Sequence, residues 1–278
     1  MAERRSKIVM GQIDYSNVWP VFHHFPIEAF RGSVDIVRKI PAELNRDMRE
    51  GRVDVGPMSS FAYGESYSEY LLLPGLSVSS FGPVRSILFF YKKGLEEAMN
   101  GRIALTTASA TSVALLKIII EKFYGRRPDY RFVSPSLHDM MKDNDGALLI
   151  GDDAIRASWE DHGFGVLDLG AAWKELTGYP MTFAVWGIRR DAAERHGELV
   201  AEIHSAFLES KRKGTSDTSG IILTAMDKIG GTWEYWERYF AGLRHDFDER
   251  DQAGLREYFR LAAEMKLLKD EPPLLFWQ

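Results

Sequence analysis

The 278-residue chain contains no cysteine. That removes disulfides, thiolate zinc sites, iron–sulfur clusters and cysteine nucleophiles together. Histidine is sparse: His23, His24, His138, His162, His196, His204 and His245 make up the whole set. None stands in an HExxH or HxH spacing, so no metal site is expected. Positive charge is not in excess, since 35 Lys+Arg face 40 Asp+Glu for a net charge of -5. A general nucleic-acid binder carries a basic surface, so nucleic acid is not an expected partner. An anionic small molecule is still allowed, because it feels the local field of its pocket. Long apolar runs are missing as well. The longest, Ile87-Leu88-Phe89-Phe90-Tyr91, is far short of the roughly 20 residues of a membrane helix, and no membrane partner is expected. The polar start shows no signal-peptide pattern, and cytoplasmic location is the expectation. GxGxxG, GxxxxGK[ST] and GxSxG segments are absent too, which weakens nucleotide, phosphoryl-transfer and serine-hydrolase readings.

What is present is an ordinary globular composition, with 45% hydrophobic and 27% charged residues. Short apolar runs alternate with helical patterns as far as residue 188, and the pattern is helical almost throughout 191–269. Alternation of this kind predicts mostly parallel sheets covered by helices. Two such blocks predict an α/β protein of two lobes with a central cleft and a helical C-terminal tail. The expected division is 1–90 plus 185–278 for the first lobe and 91–184 for the second. The crossings near Phe90-Lys92 and Phe183-Trp186 are the expected hinge. The default ligand site is the cleft, beyond the carboxyl ends of the strands.

Several strand ends carry hydroxyls or amides that could face that cleft. They are Asp14-Tyr15-Ser16-Asn17, Ser59-Ser60, Arg85-Ser86, and the run from Thr106 through Ser109 and Thr111 to Ser112. A helix start with added hydroxyls suits a carboxylate or phosphate. Ser109, Thr111 and Ser112 are equally ordinary helix caps. Asp152 follows the apolar run Ala147-Leu148-Leu149-Ile150. It is read as a base, as a holder of a Ser or Asn, or as a cap. The Trp233, Trp236, Tyr239 and Phe240 stripe reads as packing.

Taken in order, these segments resemble the menaquinone-biosynthesis chorismate dehydratases. The similarity rests on Ile8-Val9-Met10-Gly11-Gln12-Ile13-Asp14-Tyr15-Ser16-Asn17-Val18-Trp19-Pro20, on Val55-Gly56-Pro57-Met58-Ser59-Ser60-Phe61 and on Ser86-Ile87-Leu88-Phe89-Phe90. It continues in Leu105-Thr106-Thr107-Ala108-Ser109-Ala110-Thr111-Ser112, Leu148-Leu149-Ile150-Gly151-Asp152-Asp153-Ala154 and the stretch from Asp168 to Trp186. The resemblance implies the fold of type II periplasmic binding proteins. It also implies a hydro-lyase that takes water from chorismate to give 3-[(1-carboxyvinyl)oxy]benzoate, opening the futalosine route to menaquinone. No cofactor is implied. On that reading Asn17 orients the departing hydroxyl or binds a carboxylate. Ser109, Thr111 and Ser112 hold one carboxylate, with Thr106 beside them, and Ser59, Ser60, Ser86 and Arg85 hold the other. The base is Asp152 or the substrate's own enolpyruvyl carboxylate. Two alternatives stand beside it. One is the sister enzyme of the pathway, which makes 1,4-dihydroxy-6-naphthoate and for which His138 is the histidine candidate. The other is a non-catalytic small-anion binding protein or sensor. Oligomeric state is left open.

Overall fold

The computed structural model describes residues 7–278; residues 1–6, the start of the expected first lobe, lie outside the described residues. Eleven strands form among the described residues. They are β1 (Ile8–Ile13), β2 (Val34–Lys39), β3 (Val55–Ser59), β4 (Tyr70–Ser80), β5 (Ile87–Tyr91), β6 (Arg102–Thr106), β7 (Asp129–Val133), β8 (Gly146–Ile150), β9 (Gly165–Asp168), β10 (Met181–Arg189) and β11 (Leu243–Arg244). They make two sheets, in the orders β11-β4-β10-β3-β1-β2 and β7-β6-β8-β5-β9.

The second sheet shows why its strands read as continuous apolar runs. Side chains alternate between faces along a strand. Leu88, Phe90, Ala147 and Leu149 pack with Met140, Met141, Ala154 and Ala157 on one face. Phe89, Ile103, Leu105, Leu148 and Ile150 join the main core on the other. Both faces are covered, so neither register position is polar.

Both sheets are mixed rather than mostly parallel. β1 pairs in parallel with β2 and β3, and β6 with β7 and β8. β10 runs antiparallel to β3 and β4, and β5 antiparallel to β8 and β9. The strands that run against their neighbours include the two that arrive from the other lobe. They are free of the parallel sense that a βαβ crossover imposes within one sheet.

Two boundaries also move. Residues 87–90 were expected in the first lobe, but β5 pairs with β8 and β9 in the second sheet. Phe90 and Phe183-Trp186, expected at the hinge, lie inside hydrogen-bonded strands, and ladders resist bending. The segments that pass between the sheets are 81–86 and 178–180. The first of these is held by Asp168, whose carboxylate accepts from the backbone N–H groups of Val84 (3.0 Å) and Arg85 (2.7 Å).

The tail was expected on the first lobe, yet its helices touch both. Gly197–Ser216 packs Phe207 edge-on to Phe22 at 5.2 Å and against Phe25 at 4.6 Å. Burial of a phenylalanine of this kind contributes about 1.5–3 kcal/mol. Trp233–Gly242 meets Trp159 of the second lobe through Tyr235, with ring centroids 5.0 Å apart. In Glu249–Glu264, Tyr258 donates its hydroxyl to the Thr111 carbonyl (3.1 Å), while Phe259 stacks on Tyr63. Among the described residues no helix is long and apolar enough to cross a membrane.

Candidate active site

The carboxyl ends of β1, β3, β6 and β8 all point at one small cavity between the lobes. Its wall includes Asn17, Ser59, Ser86, Ser109 and Ser112, with Ile13, Ile87, Ile150 and Phe183 as apolar surface. The four separate strand-end segments thus converge. The cavity has about 40 Å³ of room, enough for a few water molecules. Among the described residues, no Lys, Arg, Asp, Glu or His lies in its wall.

Each polar group is aimed by specific partners. Ser59 caps the helix Ser60–Glu65, and its Oγ accepts from the Ala62 N–H (3.3 Å) and from Asn45 Nδ2 (3.0 Å). The Ser59 N–H in turn donates to Asn45 Oδ1 at 3.1 Å. Asn45 therefore clamps Ser59 at both ends. A hydroxyl has two acceptor sites and one proton. With both acceptor sites filled, the Ser59 proton is left to donate. Ser109 repeats this logic locally. It caps Ala110–Lys117, and its Oγ accepts from the Ser112 N–H (3.3 Å) and the Ser112 hydroxyl (3.2 Å). Its own proton remains, at the positive end of a helix.

Asn17 lies in the turn after β1. His245 Nε2 donates to its backbone oxygen at 3.0 Å, and a carbonyl can only accept, so that nitrogen carries the proton. Full burial pulls the His245 pKa down to about 4. The side-chain Oδ1 of Asn17 is buried and has no hydrogen-bond partner among the described residues. An orphaned buried oxygen facing a cavity is a place for a ligand to donate. Ser86 makes one long bond, donating to the Val84 carbonyl at 3.3 Å.

The other sequence candidates lie elsewhere. Ser60 donates to the Thr182 carbonyl at 2.8 Å within the first lobe. Thr111 accepts from the Phe61 N–H at 2.9 Å and so ties the two lobes together. Thr106 accepts from the Ala108 N–H and faces a neighbouring groove of about 410 Å³ that shares Ser109 with the cavity. Arg85 sits in the left-handed region at φ 60, where only its backbone N–H is committed to Asp168, and its guanidinium turns away to the Pro83 carbonyl. Asp152 is not on the cavity wall. Its Oδ1 accepts from the Ser16 N–H (3.2 Å) and hydroxyl (2.6 Å), across the cleft. Burial raises its pKa, and the Ser16 bonds pull the other way. Of its three readings, the holder of a serine is the one with a partner. His138 lines a groove with Lys92, Glu160 and His162, outside the cavity.

Sequence reasoning gave Tyr15 no role beyond its place in the first strand-end segment, and it missed Asn45 and His245. Tyr15 stands between the cavity and an outer cleft of about 840 Å³ that carries Arg38, Arg156 and Lys228. Its ring lies on Gly151, where φ is +63 and an added Cβ would come within 2.9 Å of three ring atoms. Asn45 had a readable signal, an amide in the buried stripe of Leu44 and Met48. Among the described residues no group of three or more His, Cys, Asp or Glu side chains could hold a metal ion.

The chain is similar to several known proteins. It is 32% identical over 265 residues to the chorismate dehydratase of Thermus thermophilus, covering 90% of this chain and 93% of that relative. A solved protein of Archaeoglobus fulgidus superposes with a TM-score of 0.71 at 21% identity, over 96% of this chain and 100% of that one. The periplasmic aliphatic sulphonate binding protein of Escherichia coli gives 0.70 at 14% identity, over 99% and 93%. These two establish the fold as that of the periplasmic binding proteins. A family model described as menaquinone biosynthesis matches residues 8–264, nearly the whole of the two-lobed body, and the chain belongs to that family.

Proposed function

We propose that the chain is a chorismate dehydratase, a hydro-lyase converting chorismate to 3-[(1-carboxyvinyl)oxy]benzoate in the futalosine route to menaquinone. The cavity carries this reading. It offers inward hydroxyl donors, a helix start and a partnerless amide oxygen, with no charged side chain in the wall.

Chorismate is a dianion with a hydroxyl on the ring carbon next to the ether-bearing one. The C–H bond at the ether-bearing carbon breaks, and its electron pair becomes a ring double bond. The neighbouring C–O bond breaks, and the proton and hydroxide leave as water. Aromatisation supplies the driving force. Ser109 and the helix start behind it suit one carboxylate, and Ser59 and Ser86 suit the other. Asn17 can accept a hydrogen bond from the ring hydroxyl on its free Oδ1 while its amide N–H donates to the hydroxyl oxygen. With no base in the wall and Asp152 committed to Ser16, the substrate's enolpyruvyl carboxylate takes the ring proton. Placement then supplies most of the rate.

A cavity of about 40 Å³ is too small for such a ring, so binding requires the lobes to part. The hinge in this reading is formed by 81–86 and 178–180. The site acts on a soluble anion in the cytoplasm.

Purified protein given chorismate should develop the ultraviolet absorbance of an aromatic product. Asn17→Ala should lose turnover by about a hundredfold or more while keeping most of its binding. Binding without any aromatic product marks a binding protein instead. A wild-type rate in Asn17→Ala removes Asn17 from the chemistry.

A further inference from the structure

The helix Trp233–Gly242 buries three rings, those of Trp236, Tyr239 and Phe240. Tyr239 is only 1% exposed, yet among the described residues its hydroxyl makes no hydrogen bond of regular geometry, with the Ser86 and Ser16 hydroxyls as the partners in reach. Buried phenols ordinarily find one. The groups around this hydroxyl are the side chains of Ser86, Ser16 and Asp152. Ser86 is a wall residue of the cavity. The end of the helix, at Gly242, lies beside the segment that carries Ser86. A Cβ there would lie 2.9 Å from the Arg85 guanidinium and 3.6 Å from the Pro83 carbonyl.

The neighbouring hydroxyls differ in what they have left to offer. Ser16 gives its proton to Asp152 at 2.6 Å and has none left for an anion, although its oxygen can still accept. Ser86 holds its proton only loosely on the Val84 carbonyl, at 3.3 Å. When that proton turns toward an anion in the cavity, the Ser86 oxygen is open to a donor from behind, and Tyr239 is the idle donor in place. A chain of two hydroxyls ending on a carboxylate polarises along its length, so the second hydroxyl strengthens the first.

We propose that Tyr239 is a positioning residue for the substrate: it donates to Ser86 and so fixes the Ser86 hydroxyl as a donor to one carboxylate of the bound dianion. The proposal rests on the reading of the cavity as a chorismate site. It also accounts for the idle phenol, which gains its acceptor when the Ser86 proton turns to the dianion.

Tyr239→Phe keeps the ring and its edge-on contact with Trp236 at 5.4 Å. It should raise KM for chorismate about tenfold, as expected for loss of a bond that supports a charged acceptor, with a smaller drop in kcat. Its melting temperature should equal or exceed that of the wild type, because an unpaired donor leaves the interior. Tyr235→Phe is the control. It removes another buried, partnerless hydroxyl from the same helix, one that faces Ser158 rather than Ser86, and its KM should match the wild type. In a Ser86→Ala background, Tyr239→Phe should add little. An unchanged KM in Tyr239→Phe, an equal rise in Tyr235→Phe, or full additivity with Ser86→Ala overturns the relay alone. Absence of turnover by the wild-type protein overturns the reading of the site and the relay with it.

Discussion

The two lobes present similar hydroxyls to the cleft but hold them in different ways. In the second lobe the support is local. Ser109 is held by Ser112, three residues on, inside one helix cap. In the first lobe the support comes from afar. Ser59 depends on Asn45, 14 residues back, and the Asn17 turn depends on His245, 228 residues on. A locally capped group survives most changes elsewhere in the chain. A group clamped by a distant side chain inherits the fate of that side chain.

Three substitutions test this contrast, from the largest expected effect to the smallest. Asn45→Ala removes both side-chain partners of Ser59 without touching the cavity wall's own residues. It should lower kcat/KM by about 10- to 100-fold and cost about 1–3 kcal/mol of stability, because the Ser59 N–H is left buried and unpaired. Steady-state kinetics and urea unfolding read the two effects. An effect no larger than that of Ser112→Ala would erase the distinction between the lobes.

His245→Gln addresses the second distant support through acid. Burial holds the His245 pKa at about 4, whereas an unfolded histidine takes its proton near 6.5. The unfolded chain therefore binds the proton first. The stability tied to this residue is complete above pH 6.5 and is lost as pH falls toward about 4. The full loss is about 3 kcal/mol, from the two values at 1.36 kcal/mol per pH unit. His245→Gln should remove that part of the acid sensitivity, since glutamine can still donate to the Asn17 carbonyl. Unfolding free energies at pH 7 and pH 4.5 measure it, and an equal decline in both proteins would show that His245 does not control it.

Asp152→Asn should have the smallest effect on turnover, leaving it near normal, because the bond to Ser16 can be accepted by an amide oxygen and the residue does not reach the cavity. Its pH signature has the opposite sign to that of His245. Burial raises the Asp152 pKa, so its contribution favours the folded state at low pH and fades as pH climbs from the ordinary carboxylate range through the raised value. The stability of Asp152→Asn relative to wild type should accordingly rise with pH over that window. A large loss of turnover would return Asp152 to the role of base.

The contrast also explains what the sequence could reveal. Ser109 and Ser112 were legible because a cap is a local pattern: small hydroxyls directly before an apolar helix. Ser59, Ser86 and Asn17 were legible as strand ends that a two-lobed fold turns toward one cleft. Helix 233–242 was legible as an apolar stripe, but periodicity reports which face of a helix is buried and says nothing about where a phenol oxygen ends. His245 sits in a tail loop with no pattern around it, and only the folding of the tail across the first sheet brings it to Asn17. The antiparallel course of β5 and β10 escaped for a related reason. A strand's residues record that it is buried, whereas its direction is set by which lobe the chain has just left.

The tail also has a mechanical meaning. Two backbone crossings alone would let the lobes swing like a book on its spine. Here the Tyr258 hydroxyl on the Thr111 carbonyl and the Trp159 edge on Tyr235 act as a strap fastened to both covers. Under the proposed opening, each parting of the lobes would work against both contacts, which would favour short openings and prompt return over waiting wide open for a partner.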